Sequence, residues 1–154
     1  MYNLFGDKDM KLMIINGPNL NFTGIREKNV YGNKSYNQIV NYLKDYAKKC
    51  HIKLDVFQSN SEGKIIDYIQ MGHLKKYDGI IINPGAYTHY SYAIRDAIKS
   101  VDINTVEVHM SNIYEREEFR KVNVIKDVCK NSFLGKKEQS YIEAIDYLLA
   151  LSIL

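Results

Sequence analysis

Two hydrophobic patterns take turns along this chain. Short apolar runs of strand length alternate with longer stretches in which apolar residues recur every three or four positions. Lys11-Leu-Met-Ile-Ile-Asn16 reads as a buried strand. Tyr36, Ile39, Val40, Leu43, Tyr46, Ala47 and Cys50 then share one helical face, and Ser35 with Gln38 three residues on makes a capping box. Ile52-Lys-Leu-Asp-Val-Phe-Gln58 alternates as a strand, followed by a helix that turns Ile65, Ile66, Ile69 and Leu74 inward. A strand at 80–82, a helix over about 91–100, a strand at 106–109 and a helical turn around 115–120 come next. A weak strand at 124–128 and a last helix carrying Tyr141, Ile145, Leu148 and Leu149 close the chain.

Strict alternation of strand and helix implies right-handed crossovers and a parallel sheet. The fold class is therefore α/β: a flavodoxin-like, doubly wound, five-stranded parallel sheet in the order 2-1-3-4-5, with helices on both faces. In that order the first, third and fourth strands are neighbours, and their carboxyl ends meet at the switch point where such folds bind ligands. All three exits are polar: Asn-Gly-Pro-Asn at 16–19, Asn-Pro-Gly-Ala-Tyr-Thr-His at 83–89 and His-Met-Ser-Asn at 109–112. Both prolines of the chain, Pro18 and Pro84, sit in these exits beside Gly17 and Gly85. Fixed φ next to permissive φ suits loops that must hold a ligand in place.

The 154 residues make one domain, with residues 1–10 read as a disordered extension and 11–154 as a single catalytic α/β unit. A net charge of +3 suits a small anionic substrate and is too weak for nucleic acid. Cys50 and Cys129 form no CxxC pair, which argues against zinc or a disulfide framework and for a reducing cytoplasm. No apolar run approaches the roughly 18 residues that span a bilayer. Lysine carries most of the positive charge, and the four arginines, Arg26, Arg95, Arg116 and Arg120, lie in or beside the polar segments. For Arg116, flanked by Glu115, Glu117 and Glu118, a surface ion pair is an equal reading. The segment 19–34 exceeds the ~2–6 residues usual between a strand and a helix. It reads as a lid holding Arg26 and Tyr31, with Gly24 and Gly32 as hinges.

Five motifs, in order, resemble the type II 3-dehydroquinate dehydratases. They are Ile-Asn-Gly-Pro-Asn-Leu-Asn at 15–21 with Arg26-Glu27 and Tyr31-Gly32, Phe-Gln-Ser-Asn-Ser-Glu-Gly at 57–63, Asn-Pro-Gly-Ala-Tyr-Thr-His at 83–89, Ile-Arg-Asp-Ala at 94–97, and Glu-Val-His-Met-Ser-Asn-Ile at 107–113 with Arg-Glu-Glu-Phe-Arg at 116–120. The chain departs from the family at Lys28, where proline is usual, at Tyr114, where histidine is common, and in the lysine-rich stretch after Arg120.

The resemblance implies loss of water from 3-dehydroquinate to give 3-dehydroshikimate through an enolate, a step of the shikimate pathway of aromatic amino acid biosynthesis. Such chemistry needs a base, an enolate stabiliser and an acid. By resemblance Tyr31 is the base, Asn19 holds a water against the enolate oxygen, and His109 is the acid, oriented by Glu107. A free phenol is ionised to only about one part in a thousand at pH 7, so a tyrosine base needs a cation beside it, and Arg26 supplies a permanent one. Asn83, His89, Met110, Ser111 and Arg120 resemble the groups that bind substrate. Asp96 resembles a residue that reaches a neighbouring subunit, implying a homo-oligomer built from trimers, typically a dodecamer. No cofactor or metal is implied. The competing reading is a non-catalytic flavodoxin-like binding or assembly module; against an FMN site, the loop after the first strand lacks the Ser, Thr and Gly of a phosphate cradle.

Overall fold

The computed structural model describes residues 8–154. Its strands are β1 (Met10–Asn16), β2 (Ile52–Gln58), β3 (Gly79–Asn83), β4 (Asn104–His109) and β5 (Ser132–Leu134). They form one sheet in the order β2-β1-β3-β4-β5, with every neighbouring pair parallel. The helices are α1 (Lys28–Tyr31), α2 (Tyr36–Lys49), α3 (Glu62–Leu74), α4 (Tyr92–Ser100) and α5 (Gln139–Leu151). None of the described helices is long and apolar enough to cross a membrane.

Each face of the sheet has its own core. Leu12, Ile14, Ile81, Val106 and Val108 point to one side, where Ile39 and Leu43 of α2 and Ile142, Ile145 and Leu148 of α5 cover them. Met13, Ile15, Ile80 and Ile82 point to the other, under Ile65 and Ile69 of α3 and Ile94 and Ile98 of α4. Side chains alternate faces along a strand, so a central strand sandwiched by helices must be apolar at every position; β3 reads Gly-Ile-Ile-Ile and is buried throughout. The Ser35/Gln38 capping box starts α2 as its sequence implies, and Ser61 and Ser91 cap α3 and α4.

Four expectations need correction, the first being Leu74, which ends α3 exposed to solvent rather than turned inward. Of the proposed extension, residues 1–7 lie outside the described residues, and the strand begins at Met10 rather than 11, because Met10 pairs with Ile52 and buries its side chain. The fifth strand is not 124–128. Asn123 Oδ1 accepts from the backbone N–H groups of Ile125 and Lys126 and turns the chain there, Ile125 is buried against the α3/α4 core, and the strand forms later, where Ser132–Leu134 pairs with Glu107–His109. The lid is not a plain loop: it contains a 3₁₀ turn at Leu20–Phe22 and the single helical turn α1, which ends on Tyr31.

Candidate active site

At the carboxyl ends of β1, β3 and β4 a cavity of about 120 Å³ opens. Gly17 leaves β1 so close to the exit of β3 that a Cβ there would lie 2.4 Å from the Pro84 carbonyl oxygen, while its N–H donates to the Asn83 carbonyl at 2.7 Å. Only glycine lets the two loops meet. Two residues on, Asn19 adopts the left-handed conformation (φ 68°), which asparagine tolerates better than most residues. Its N–H donates to Asn60 Oδ1 at 3.1 Å, and its side chain does not cap the following turn, so it lines the cavity without being spent locally.

The lid brings Tyr31 to the same cavity as a buried residue. Its Oη accepts from Arg26 at 3.1 Å and from Arg116 at 2.8 Å, and both guanidinium groups also lie over the ring. Two permanently charged donors on one oxygen stabilise negative charge there. Glu27 ties the pair together, with Arg26 at 2.9 Å and Arg116 at 3.6 Å. The Arg26 hydrogen bond, opposed by slight burial and helped by the charges of Arg116 and Arg120, holds the Glu27 carboxyl below its ordinary value. Arg116 is the residue the sequence reading undervalued. Its glutamate neighbours suggest a surface pair, yet its side chain is only 11% exposed and its hydrogen bond to Tyr31 spans 85 residues. The useful signal is the scarcity of arginine, since Arg26, Arg116 and Arg120 all line the cavity; Arg95 instead pairs with Asp127 and the Val124 carbonyl.

His109 and Glu107 project from the same face of β4, two residues apart, with His109 Nε2 2.8 Å from Glu107 Oε2. Glu107 is fully buried. Burial alone would push its carboxyl up, but hydrogen bonds from His109, Ser132 and Asn123 outweigh that and hold it below the ordinary carboxylate value. Asn123 Nδ2 reaches both carboxylate oxygens at 3.0 and 2.9 Å, and Ser132 Oγ donates at 2.5 Å. The fixed anion thus orients the ring by its Nε2.

The residues expected to bind substrate gather around these groups. Asn83, His89, Met110, Ser111 and Arg120 all line the cavity. His89 Nδ1 lies 2.7 Å from the Val122 carbonyl, so in the neutral ring Nδ1 is the donor and Nε2 is left as an acceptor. Burial, partly opposed by that bond, lowers the His89 pKa, and the charges of Arg120, His109 and Arg116 lower it further. Ser111 Oγ accepts from Arg116 at 3.5 Å, and Arg120 Nε donates to Glu117 at 2.6 Å. Asp96 is not among the lining residues; it is exposed on α4, and Arg95 pairs with Asp127 rather than with it.

A family model described as Dehydroquinase class II matches residues 10–149. A 3-dehydroquinate dehydratase of Clostridium perfringens (strain SM101 / Type A) is 55% identical over 139 residues, 90% of this chain and 95% of the relative. A namesake from Thermotoga neapolitana is 50% identical over 143 residues, 93% of this chain and 97% of the relative. The crystal structure of the type II dehydroquinase from Butyrivibrio crossotus superposes with a TM-score of 0.90 at 55% identity, covering 92% of this chain and 98% of that one.

Proposed function

From the premise that the chain belongs to the class II dehydroquinases, and is a hydro-lyase of that family, we propose that it dehydrates 3-dehydroquinate through an enolate, with Tyr31 as base and His109 as acid. The observation that carries this reading is the Tyr31 oxygen held between Arg26 and Arg116, in one cavity with the His109–Glu107 pair. Tyr31 takes the proton from the carbon α to the ketone, and the electron pair moves onto the ketone oxygen. Asn19 stabilises that oxyanion through a water. The carbonyl then re-forms, the C–O bond at the β carbon breaks, and His109 protonates the departing hydroxyl, so water leaves and the enone remains. Arg120 and the Met110–Ser111 backbone hold the substrate's anionic and hydroxyl groups, His89 Nε2 accepts from a hydroxyl, and Asn83 contacts another. Each turnover leaves Tyr31 holding the α proton and His109 short of the one it gave, and proton exchange with solvent restores both.

No lysine has a role in this scheme, so no imine forms. Purified protein mixed with 3-dehydroquinate should generate conjugated-enone absorbance, and borohydride added with substrate should leave activity intact. Absence of the absorbance overturns the assigned reaction, and stoichiometric trapping of substrate on a lysine overturns the mechanism.

A further inference from the structure

Behind the cavity wall a buried chain of hydrogen bonds joins three elements. Asn83, at the end of β3, uses its amide in two directions: Oδ1 accepts from the Gly85 N–H at 3.3 Å, and Nδ2 donates to Tyr141 Oη at 2.9 Å. Tyr141, on α5, donates its own hydrogen to Asn16 Oδ1 at 2.6 Å, and Asn16 Nδ2 reaches Tyr36 Oη at 3.3 Å. Asn16, Asn83 and Tyr141 are all nearly inaccessible to solvent. The directions are forced. A backbone N–H can only donate, so the Asn83 oxygen must face Gly85, and the Tyr141 hydroxyl has one hydrogen, already given to Asn16. Its lone pairs therefore face the Asn83 nitrogen, whose second hydrogen remains for the cavity.

We propose that Tyr141 is a positioning residue of the active site: by giving its hydrogen to Asn16 it compels Asn83 to meet a substrate hydroxyl as an N–H donor, selecting a ligand oxygen with a free lone pair at that point. This deepens the reading above and rests on Asn83 touching substrate. Burial pushes the Tyr141 phenol up, so its hydroxyl keeps the hydrogen that sets the polarity of the chain. Loss of the hydroxyl takes away the acceptor of one Asn83 N–H and leaves the amide held by the Gly85 N–H alone, which weakens substrate and transition state alike and so raises KM with little change in kcat.

The test compares steady-state kinetics of wild type, Tyr141→Phe, Asn16→Leu and, as a packing control on the same helix, Ile145→Val. Asn16→Leu removes the acceptor and lets the Tyr141 hydroxyl donate elsewhere. Both relay variants should raise KM for 3-dehydroquinate about tenfold, the scale of one hydrogen bond, with kcat within about threefold. Ile145→Val should lower Tm and leave KM unchanged. An unchanged KM in Tyr141→Phe overturns the proposal, as does an equal rise in the control, which would make the effect one of packing. Inactive wild type would instead fail the assigned reaction. Neutron diffraction from wild-type crystals decides the matter if the variants do not fold: the Tyr141 deuterium should point to Asn16, and one pointing to Asn83 overturns the assignment.

Discussion

One oxygen, Tyr31 Oη, accepts hydrogen bonds from two arginines that reach it from different parts of the chain, Arg26 from the lid and Arg116 from beyond β4. Because the shorter bond comes from Arg116, its loss should cost as much as loss of Arg26. Arg116→Ala should lower kcat by at least tenfold, and Arg116→Lys should recover only part, since a lysine keeps the charge but not the planar fork that reaches Tyr31 and Glu27 together. Steady-state kinetics check this; a kcat within twofold of wild type in Arg116→Ala would reduce Arg116 to a surface charge. Glu107 makes a separate prediction about stability. The unfolded chain binds a proton at this carboxyl near 4.5, and the folded chain only at lower pH. Between those values the unfolded state holds more protons, so stability present above 4.5 is lost as pH falls through the folded value. Urea midpoints from pH 7 to 3 should therefore converge for wild type and Glu107→Gln as pH drops below 4.5; parallel curves would contradict it.

At the scale of elements, the strands and long helices were legible because each buries a continuous or periodic apolar face, which leaves a pattern in the residues themselves. The fifth strand was not. Val124 and Ile125 are apolar because they pack a loop against the α3/α4 core, whereas Ser132 opens a strand whose purpose includes donating to Glu107, 25 residues away. The candidate site divides the same way. Asn19, Tyr31, Asn83, His89 and His109 sit in local motifs at strand exits and lid, but Arg116, Asn123, Ser132 and Tyr141 owe their place to partners far along the chain. Element junctions also carry strain limits. Gly17→Ala would press a Cβ onto the Pro84 backbone, which should destabilise the fold by roughly 1–3 kcal/mol and disturb both exits. Urea unfolding measures the first and kcat/KM the second; a variant of wild-type stability would mean that the loops separate freely.

Of the residues expected to bind substrate, Asp96 is the one outside the cavity of its own chain. It is exposed on α4. If it serves a neighbouring subunit, the working form is an assembly built from trimers, and Asp96→Ala should lose activity while keeping its Tm. Sedimentation should place the active protein well above the 17.9 kDa monomer; a fully active monomer would remove Asp96 from the site. The central claim, however, is the identity of the base, and Tyr31→Phe tests it most directly. That change deletes one oxygen and keeps the ring between the two guanidinium groups. With 3-dehydroquinate as substrate, kcat should fall by the ~10²–10⁴ of a lost general base, with KM changed far less. A near-normal kcat with only KM raised would show that Tyr31 binds substrate and that another group takes the proton.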